Sequence, residues 1–360
     1  MSGHKPKEVN LINYQTLVIP GFEKILRCRE PESGLSAVIA VHDTTLGPAM
    51  GGCRMWSYGS EDDALADAQR LARGMTFKAA LAGLPLGGGK AVIIGDPRRE
   101  KSPKLFRAFG RAVEHLHGTY VTGEDVGTSV EDMDEVRRET RHVAGVADGS
   151  GDPSPMTALG VLHGIRAAVR HRYGADSLDS FTVAVQGLGH VGFHLSRLLH
   201  DAGAQLIVSD VVADRVQRAV RAFGAVPVEP EAIAGAEAEV FAPCALGGAI
   251  NAVTRRRLKA GVIAGAANNQ LETPGDGMAL HRDGVLYAPD YVINAGGLIS
   301  VAWDILRRGE AYDRATVSVD VTKIGDRLDA IFRTSGSSDR PPEQVADAMA
   351  RECLAVPAVA

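Results

Sequence analysis

Stretches rich in β-branched residues alternate along this chain with stretches whose apolar residues recur at helical spacing. Leu35 to Val41 reads as a buried strand. It runs into Gly47-Pro48-Ala49-Met50-Gly51-Gly52, a turn-forming, close-packed loop. From Ser60 the pattern predicts a helix. Ser60 stands at the cap, Asp63 at the capping-box partner position, and Ala64, Leu65, Ala68, Leu71 and Ala72 make one apolar face. Ala91 to Ile94 reads as a short strand leaving a Gly87-Gly88-Gly89 turn. Leu105 to Leu116 reads as a helix, and Tyr120 to Thr122 as a strand leading to Gly123-Glu124-Asp125. Thr128 is placed to cap the helix that follows.

Asp148-Gly149-Ser150-Gly151-Asp152-Pro153-Ser154-Pro155 breaks this pattern, since its Gly, Pro and Ser content disfavours regular structure, and it could bend as a hinge. A helix resumes from Thr157 to Arg170. Strand and helix patterns then alternate: Thr182–Gln186, a helix over Val191–Ala202, Gln205–Ser209, a helix over Arg215–Phe223, and short strands at Val240-Phe241, Val262-Ile263 and Val285 to Tyr287. Such βαβ alternation implies a parallel sheet covered on both faces. The fold class is therefore α/β with two domains, 1–148 and 149–334. A C-terminal segment, 335–360, opens with a Ser/Gly/Pro loop (Ser335 to Pro342) before a final helix and is expected to pack back on the first domain. No repeat of solenoid length is present.

The chain has 360 residues, enough for two cores. Its 45% hydrophobic and 23% charged content is that of a globular protein. A formal charge of −5 argues against nucleic acid as the main partner. The cysteines, Cys28, Cys53, Cys244 and Cys353, have neither disulfide-framework nor zinc spacing. They read as reduced thiols of a cytoplasmic protein with no metal site. The N-terminus lacks the apolar core of a signal peptide, and no apolar run reaches the length of a membrane span.

Gly187, Gly189 and Gly192, with Leu188, His190 and Val191 among them, fit G-x-G-x-x-G between a strand and a helix. The first glycine permits the tight turn, the second admits a pyrophosphate, and the third lets helix and strand pack closely. The helix N-terminus adds N–H donors and a favourable dipole. Asp210 ends the next strand, where a carboxylate binds ribose hydroxyls and repels a 2′-phosphate. Val211 and Val212 follow rather than an arginine, so NAD is favoured over NADP. His190 reads as a partly exposed loop histidine without a chemical role.

Lysine is seldom buried without a task or a partner. Lys78 follows a helical pattern and Lys90 follows three glycines, both where backbone is tightly packed. Two roles fit such a pair. One lysine holds a substrate carboxylate; the other is a base whose pKa burial and a cationic neighbour would lower. Asp125 supplies the complementary charge and can exchange protons with an amine. Alone, either lysine would read as a solvated side chain; the glycines and the dinucleotide fingerprint shift the balance.

Thr44 to Trp56, with its Gly51-Gly52 pair, resembles the substrate loop of the amino acid dehydrogenases, the glutamate, leucine, valine and phenylalanine dehydrogenase family. Met75 to Lys90, Gly123 to Gly127, Gly187 to Gly192, Ala242 to Gly247, Ala266 to Leu271 and Tyr291 to Gly297 resemble it in the same order, over about Ser33 to Val301. The resemblance is greatest to the leucine and phenylalanine branch, including its tryptophan-acting members. It implies a substrate-binding, oligomerising N-terminal domain, a Rossmann NAD domain, and a cleft between them. It further implies that Lys78 binds the substrate carboxylate, Lys90 is the general base that activates water, and Asp125 assists proton transfer at the amino group. Gly51 and Gly52 would line the substrate loop, Asn268 (with Asn269 beside it) would contact substrate or the nicotinamide ribose, and Cys244-Ala245 would lie along the cofactor groove. The implied reaction is reversible oxidative deamination of an L-amino acid to a 2-keto acid and ammonia, by a homo-oligomer. The oligomer could use Val38 to Val41 for intersubunit pairing, unless that strand is internal.

Cys53 stands where a threonine is common in the family, and His190 where an asparagine is. The positions matching the family's side-chain pocket are Met50, Met75, Gly123, Leu298 and Val301, all apolar or without a side chain. That argues against glutamate, whose distal carboxylate needs a polar partner. Leucine-type enzymes usually carry alanine and valine where this chain has Gly123 and Leu298. Phenylalanine- and tryptophan-type enzymes usually carry this glycine and leucine. The pocket therefore favours aromatic or bulky apolar substrates, with branched-chain leucine dehydrogenase as the alternative. A hydroxy-acid dehydrogenase would use a histidine–carboxylate pair instead of two lysines. A non-enzymatic NAD-binding regulator would have no need of Lys78, Lys90 and Asp125.

Overall fold

A computed structural model describes residues 12–147 and 149–355. Asp148 of the central break, the N-terminal residues read for a signal peptide, and residues 356–360 of the C-terminal segment lie outside the described residues. Two compact units result. The first holds the residues up to Thr76 and Pro85–Gly151; the second holds Phe77–Leu84 and the described residues from Asp152 onward. The division at Gly151 falls inside the Gly/Pro-rich break, three residues beyond the expected boundary. Lys78 is grouped with the second unit rather than the first, because Phe77 and Leu81 join the second unit's hydrophobic core.

In the first unit the strands are β1 (Asn13–Leu17), β2 (Lys24–Glu30), β3 (Leu35–Asp43), β4 (Ala49–Met50), β5 (Cys53–Trp56), β6 (Gly87–Ile94) and β7 (Tyr120–Val121). The sheet order is β1-β2-β3-β6-β4-β7, with β5 also on β6. The first four of these strands are antiparallel, whereas β4 and β5 run parallel to β6. Helices α1 (Glu61–Leu81), α2 (Pro103–Glu114) and α3 (Val130–Arg137) complete the element set. The apolar run in β3 has a simple cause. Ile39 and Val41 pack with Phe106 and Phe109 of α2, while Val38 and Ala40 pack with Ala64, Ala68 and Ala72 of α1. A strand buried on both faces needs no polar alternation. Both of its edges are also used: Val38 pairs Arg27 on one side and Val92 on the other. It is the internal alternative that holds, and Val38 to Val41 has no edge free for a second copy.

Gly87 to Gly89 are the first residues of β6, not a turn before it. Ser60 Oγ accepts from the Asp63 N–H (3.1 Å), as the capping pattern predicts. Thr128 is not a helix cap. Ser129 caps α3, and the Thr128 hydroxyl instead accepts from the Asp125 N–H and donates to the Cys53 carbonyl, each at 2.9 Å.

The second unit carries β8 (Thr182–Gln186), β9 (Gln205–Ser209), β10 (Val226–Pro227), β11 (Val240–Pro243), β12 (Val262–Ile263) and β13 (Leu286–Tyr287). Every pair is parallel, in the order β10-β9-β8-β11-β12-β13. This is the doubly wound Rossmann order, with its reversal between β8 and β11. Its helices are α4 (Ser154–Tyr173), α5 (His190–Asp201), α6 (Ala213–Phe223), α7 (Ala252–Arg255), α8 (Pro274–Arg282), α9 (Asp290–Ile293), α10 (Gly296–Leu306), α11 (Arg314–Ser338) and α12 (Pro342–Ala355). Among the described residues no helix is long and apolar enough to cross a membrane.

The C-terminal expectation is corrected. Residues 335 to 338 finish α11, the helix ends at Asp339 in the left-handed region, and Pro342 starts α12. Val321, Leu328 and Phe332 of α11 and Val345, Ala346 and Ala350 of α12 lie in the core of the second unit. The apolar spacing of these two helices gives them a buried stripe that only this core covers. Phe332 is fully buried, with the His171 ring of α4 at 5.5 Å. Phe332→Ala is therefore expected to destabilise the second unit by about 3–5 kcal/mol, measured as a lowered thermal unfolding midpoint.

Candidate active site

Lys90 lies on β6 with the backbone of β3 opposite it, paired to Ala40. Paired residues share a face of a sheet, and residues two apart along a strand do so too. Lys90 therefore faces the same side as Val92, and Val92 is paired with Arg54 of β5. Asp125, in the loop after β7, meets both cations with one oxygen. Lys90 Nζ lies 2.9 Å from Asp125 Oδ2, and Arg54 Nε donates to the same atom at 3.1 Å. Lys90 is 5% exposed, so its ammonium needs this anion.

The approach depends on Gly52. A Cβ there would stand 2.4 Å from the Glu124 carbonyl oxygen and 2.9 Å from the Asp125 Cβ. Any side chain would push the Asp125 loop off the sheet. Gly51 is held beside it, its carbonyl accepting the Tyr120 hydroxyl at 2.5 Å. The Cys53 N–H donates to the Gly123 carbonyl at 2.7 Å, and Thr128 ties the Asp125 loop to Cys53. Local backbone pairing thus fixes the Asp125 carboxylate against Lys90.

Burial pushes the Asp125 carboxyl up, but the charges of Lys90 and Arg54 outweigh it and hold the group below the ordinary carboxylate range. Burial pushes the Cys53 thiol well up, so it stays neutral beside the pair. Arg54 is anchored from behind. Its Nη1 donates to Asp67 Oδ2 of α1 at 3.0 Å, and the Tyr58 hydroxyl donates to that same oxygen at 2.8 Å. Sequence reasoning passed over Arg54, Asp67 and Tyr58. A signal existed: Arg54 sits between Cys53 and Met55 in a strand where both neighbours are buried.

The other expected residues divide between the units. Met50 is buried in β4, Met75 is half-buried in α1, and Gly123 is buried after β7. A Cβ added at Gly123 would meet the Ala144 carbonyl oxygen at 3.4 Å, an ordinary contact, so a methyl fits there. Leu298 and Val301 sit three residues apart on α10 in the second unit, which places them on one helical face.

Lys78 lies in the last turn of α1, in the stretch grouped with the second unit, half-buried and near Asp290 of α9. Burial pushes the Asp290 carboxyl up; the Gln270 N–H and the Lys78 charge offset this in part. Asn268 is exposed, and its Oδ1 accepts from Asn294 Nδ2 at 2.7 Å. Asn294 lay inside a recognised motif but was not singled out.

The fingerprint glycines lie at the sheet's reversal. Gly187 follows β8 with φ +91°, and a Cβ on it would stand 2.8 Å from the Ala245 Cβ. Cys244, after β11, donates its N–H to the Gln186 carbonyl at 2.7 Å, so Cys244-Ala245 and the glycine turn do come together. Burial pushes the Cys244 thiol up to about 12, which makes it an uncharged wall. Gly192 packs on the Gly187 carbonyl. His190 opens α5 rather than sitting in a loop, and its side chain is 86% exposed.

The residues present fit a dinucleotide. Gly189 caps α5 without any side-chain hydrogen bond, and the space where its Cβ would lie holds no atom within 4 Å. Val191 begins the helix beyond it. At the ends of β8 and β9, the buried Gln186 Oε1 and Ser209 Oγ have no partner among the described residues. Asp210 directly follows β9, its carboxylate accepting from the N–H groups of Leu188 (2.7 Å) and Val212 (2.8 Å). Val211 and Val212 follow Asp210 in the chain, yet an arginine approaches it in space. Arg215, in the first turn of α6, reaches to 3.6 Å from Asp210 Oδ2.

The lowered Asp125 carboxyl has a consequence for stability. A depressed folded-state pKa contributes stability that is fully present above the unfolded carboxyl value of about 3.9 and is lost as pH falls below it. The unfolding midpoint is expected to fall over that range, and by less in Asp125→Asn. Calorimetry at stepped pH checks this.

Residues 23–142 match the family model described as Glu/Leu/Phe/Val dehydrogenase, dimerisation domain, and residues 209–349 match that of Glutamate/Leucine/Phenylalanine/Valine dehydrogenase. The chain is 52% identical over 334 residues to leucine dehydrogenase from Geobacillus stearothermophilus, covering 92% of this chain and 90% of the relative. It is 45% identical over 339 residues to phenylalanine dehydrogenase from Bacillus thermotolerans, covering 92% and 87% respectively. The crystal structure of L-tryptophan dehydrogenase from Nostoc punctiforme superposes with a TM-score of 0.81 at 44% identity, covering 93% of this chain and 96% of that one. The chain belongs to the Glu/Leu/Phe/Val dehydrogenase family of amino acid dehydrogenases.

Proposed function

We propose that this enzyme catalyses the NAD-dependent, reversible oxidative deamination of an L-amino acid with a bulky apolar side chain. The single observation that carries the reading is the buried Lys90–Asp125 pair at 2.9 Å. Lys78 binds the substrate carboxylate, with Gly51 and Gly52 lining the substrate loop. Bound NAD supplies the acceptor for the hydride that leaves Cα. Lys90, once its ammonium has released a proton, takes one from water as the water oxygen adds to the resulting iminium carbon. Asp125 returns to the nitrogen the proton it first takes from the substrate ammonium, and the carbinolamine, losing its hydroxyl proton, collapses to the 2-keto acid and ammonia. The zwitterionic amino acid, water and NAD+ are thus converted to keto acid, ammonia, NADH and two protons.

NAD rather than NADP is supported by Asp210, whose carboxylate suits ribose hydroxyls and repels a 2′-phosphate. Arg215 beside it softens that repulsion without removing it. Asn268 is assigned to the nicotinamide ribose or the substrate. The Gly187 to Gly192 turn, with Leu188, His190 and Val191, and the Cys244-Ala245 wall are assigned to the coenzyme.

Apolar Met50, Met75, Leu298 and Val301 suit an apolar side chain, and the unfilled methyl position at Gly123 favours an aromatic one. A branched-chain preference is the second reading, favoured by the 52% identity to a leucine dehydrogenase. Assembly as a homo-oligomer is supported by the match to a dimerisation domain over residues 23–142. The four free cysteines suit a reducing, cytoplasmic compartment.

NADH formation with a panel of L-amino acids at alkaline pH is the test. Phenylalanine and tryptophan are expected to turn over ahead of leucine; strong leucine preference with negligible aromatic turnover would defeat the pocket argument. Gly123→Ala should fold normally and shift the aromatic-to-leucine ratio of kcat/KM toward leucine by about tenfold. Lys90→Ala should abolish turnover while NADH still binds, read by fluorescence titration. Sustained turnover in Lys90→Ala would defeat the mechanism.

A further inference from the structure

We infer that Arg54 is a positioning residue for the reaction, a fixed cation that clamps one oxygen of Asp125 and leaves the other for the substrate. The inference rests on the reading of Lys90 and Asp125 as the acid–base pair. Three observations carry it. Arg54 Nε and Lys90 Nζ both meet Oδ2, at 3.1 and 2.9 Å, so Oδ1 is committed to neither. The guanidinium is held at its other end by Asp67 at 3.0 Å, and Asp67 in turn by Tyr58 at 2.8 Å and Arg70 at 2.6 Å. All three side chains of the relay, Arg54, Asp67 and Asp125, are at most one-fifth exposed, at 18%, 16% and 20%, so the charges act with little screening.

A surface arginine paired with one aspartate would hold nothing in place. Here the planar fork spans two carboxylates from different elements, the α1 helix and the loop after β7. Two consequences follow. Asp125 cannot swing toward solvent, which fixes its free oxygen. The positive charge also favours the ionised form of Asp125, the group that Lys90 meets. The other titratable groups facing the pair are Cys53 on β5, Tyr120 on β7, and more distantly Lys101 and Asp132. Cys53 and Tyr120 are both pushed well up by burial and remain neutral, so beside Lys90 itself Arg54 is the cation that touches Asp125.

The test is the pH profile of kcat/KM for the intact enzyme and three variants. Arg54→Gln is expected to lower kcat about tenfold or more. Its acid-side limb should move to higher pH by about one unit, because a cation has been removed. Arg54→Lys keeps the charge and should keep the limb in place while losing part of kcat. Asp67→Asn removes an anion from the far side of Arg54 and should move the limb the opposite way, to lower pH. A purely structural role lowers activity without moving the limb. An unmoved limb in both Arg54→Gln and Asp67→Asn therefore overturns the inference, and Asp67→Asn alone decides if Arg54→Gln does not fold. Lys90→Ala serves as the control. If it is inactive and the limbs do not move, only the assignment of Arg54 fails; if it is active, the acid–base reading fails and this inference with it.

Discussion

A lysine ammonium taken out of water is unstable unless an anion meets it, and in this protein the anion is one carboxylate that two cations share. Lys90 and Arg54 both close on Oδ2 of Asp125. Removing such a partner leaves an uncompensated buried charge, a loss of about 3–5 kcal/mol in comparable cases. The first unit is arranged around meeting that requirement. Strands β5 and β6 run side by side so that Arg54 and Lys90 present to one face. Gly52 allows the Asp125 loop to approach without a side chain in the way, and Thr128 ties that loop to Cys53. Asp67 and Tyr58 hold the guanidinium from behind.

The second unit solves a different problem, with backbone rather than with charge. Its parallel strands end together at the reversal between β8 and β11, where Gly187 turns and Cys244-Ala245 lies close. The groups offered there are N–H donors of a helix without a side-chain cap and two buried polar atoms, Gln186 Oε1 and Ser209 Oγ, that lack partners among the described residues. Asp210 has a double task. Its carboxylate braces the turn through the Leu188 N–H and is also the group that suits ribose hydroxyls. Arg215 approaches the same carboxylate, so on the proposed reading it would soften the repulsion of a 2′-phosphate there.

Local pattern and tertiary pairing disagreed at identifiable places. Three successive glycines read as a turn because nothing in their own chemistry favours a strand. In the structure β3 and β4 pair with them and make them the start of β6. Thr128 has the chemistry of a cap, yet Ser129 caps α3, and the threonine hydroxyl is drawn to a strand carbonyl distant in sequence. Residues 335 to 338 look like a loop by composition, but the apolar stripe of α11 is buried against α4 and carries the helix through them. In each case the deciding partner lies far away along the chain, where local propensity has no information.

Much of the protein was nonetheless legible from residues alone. Strands β8 and β9 fall on their expected residues, since a fully buried parallel strand leaves an unbroken apolar run. Gly187, Gly189, Gly192 and Asp210 were recognisable because each answers a steric or charge demand at a set spacing. Lys90 and Asp125 were identifiable as chemistry, but their 2.9 Å approach was not, and Arg54, Asp67 and Tyr58 were silent. The order of residues determines which groups are available and which segments must be buried. Only the packing of β5, β6, α1 and the Asp125 loop decides which charges meet, because electrostatic pairing depends on distance in space and the sequence records distance only along the chain.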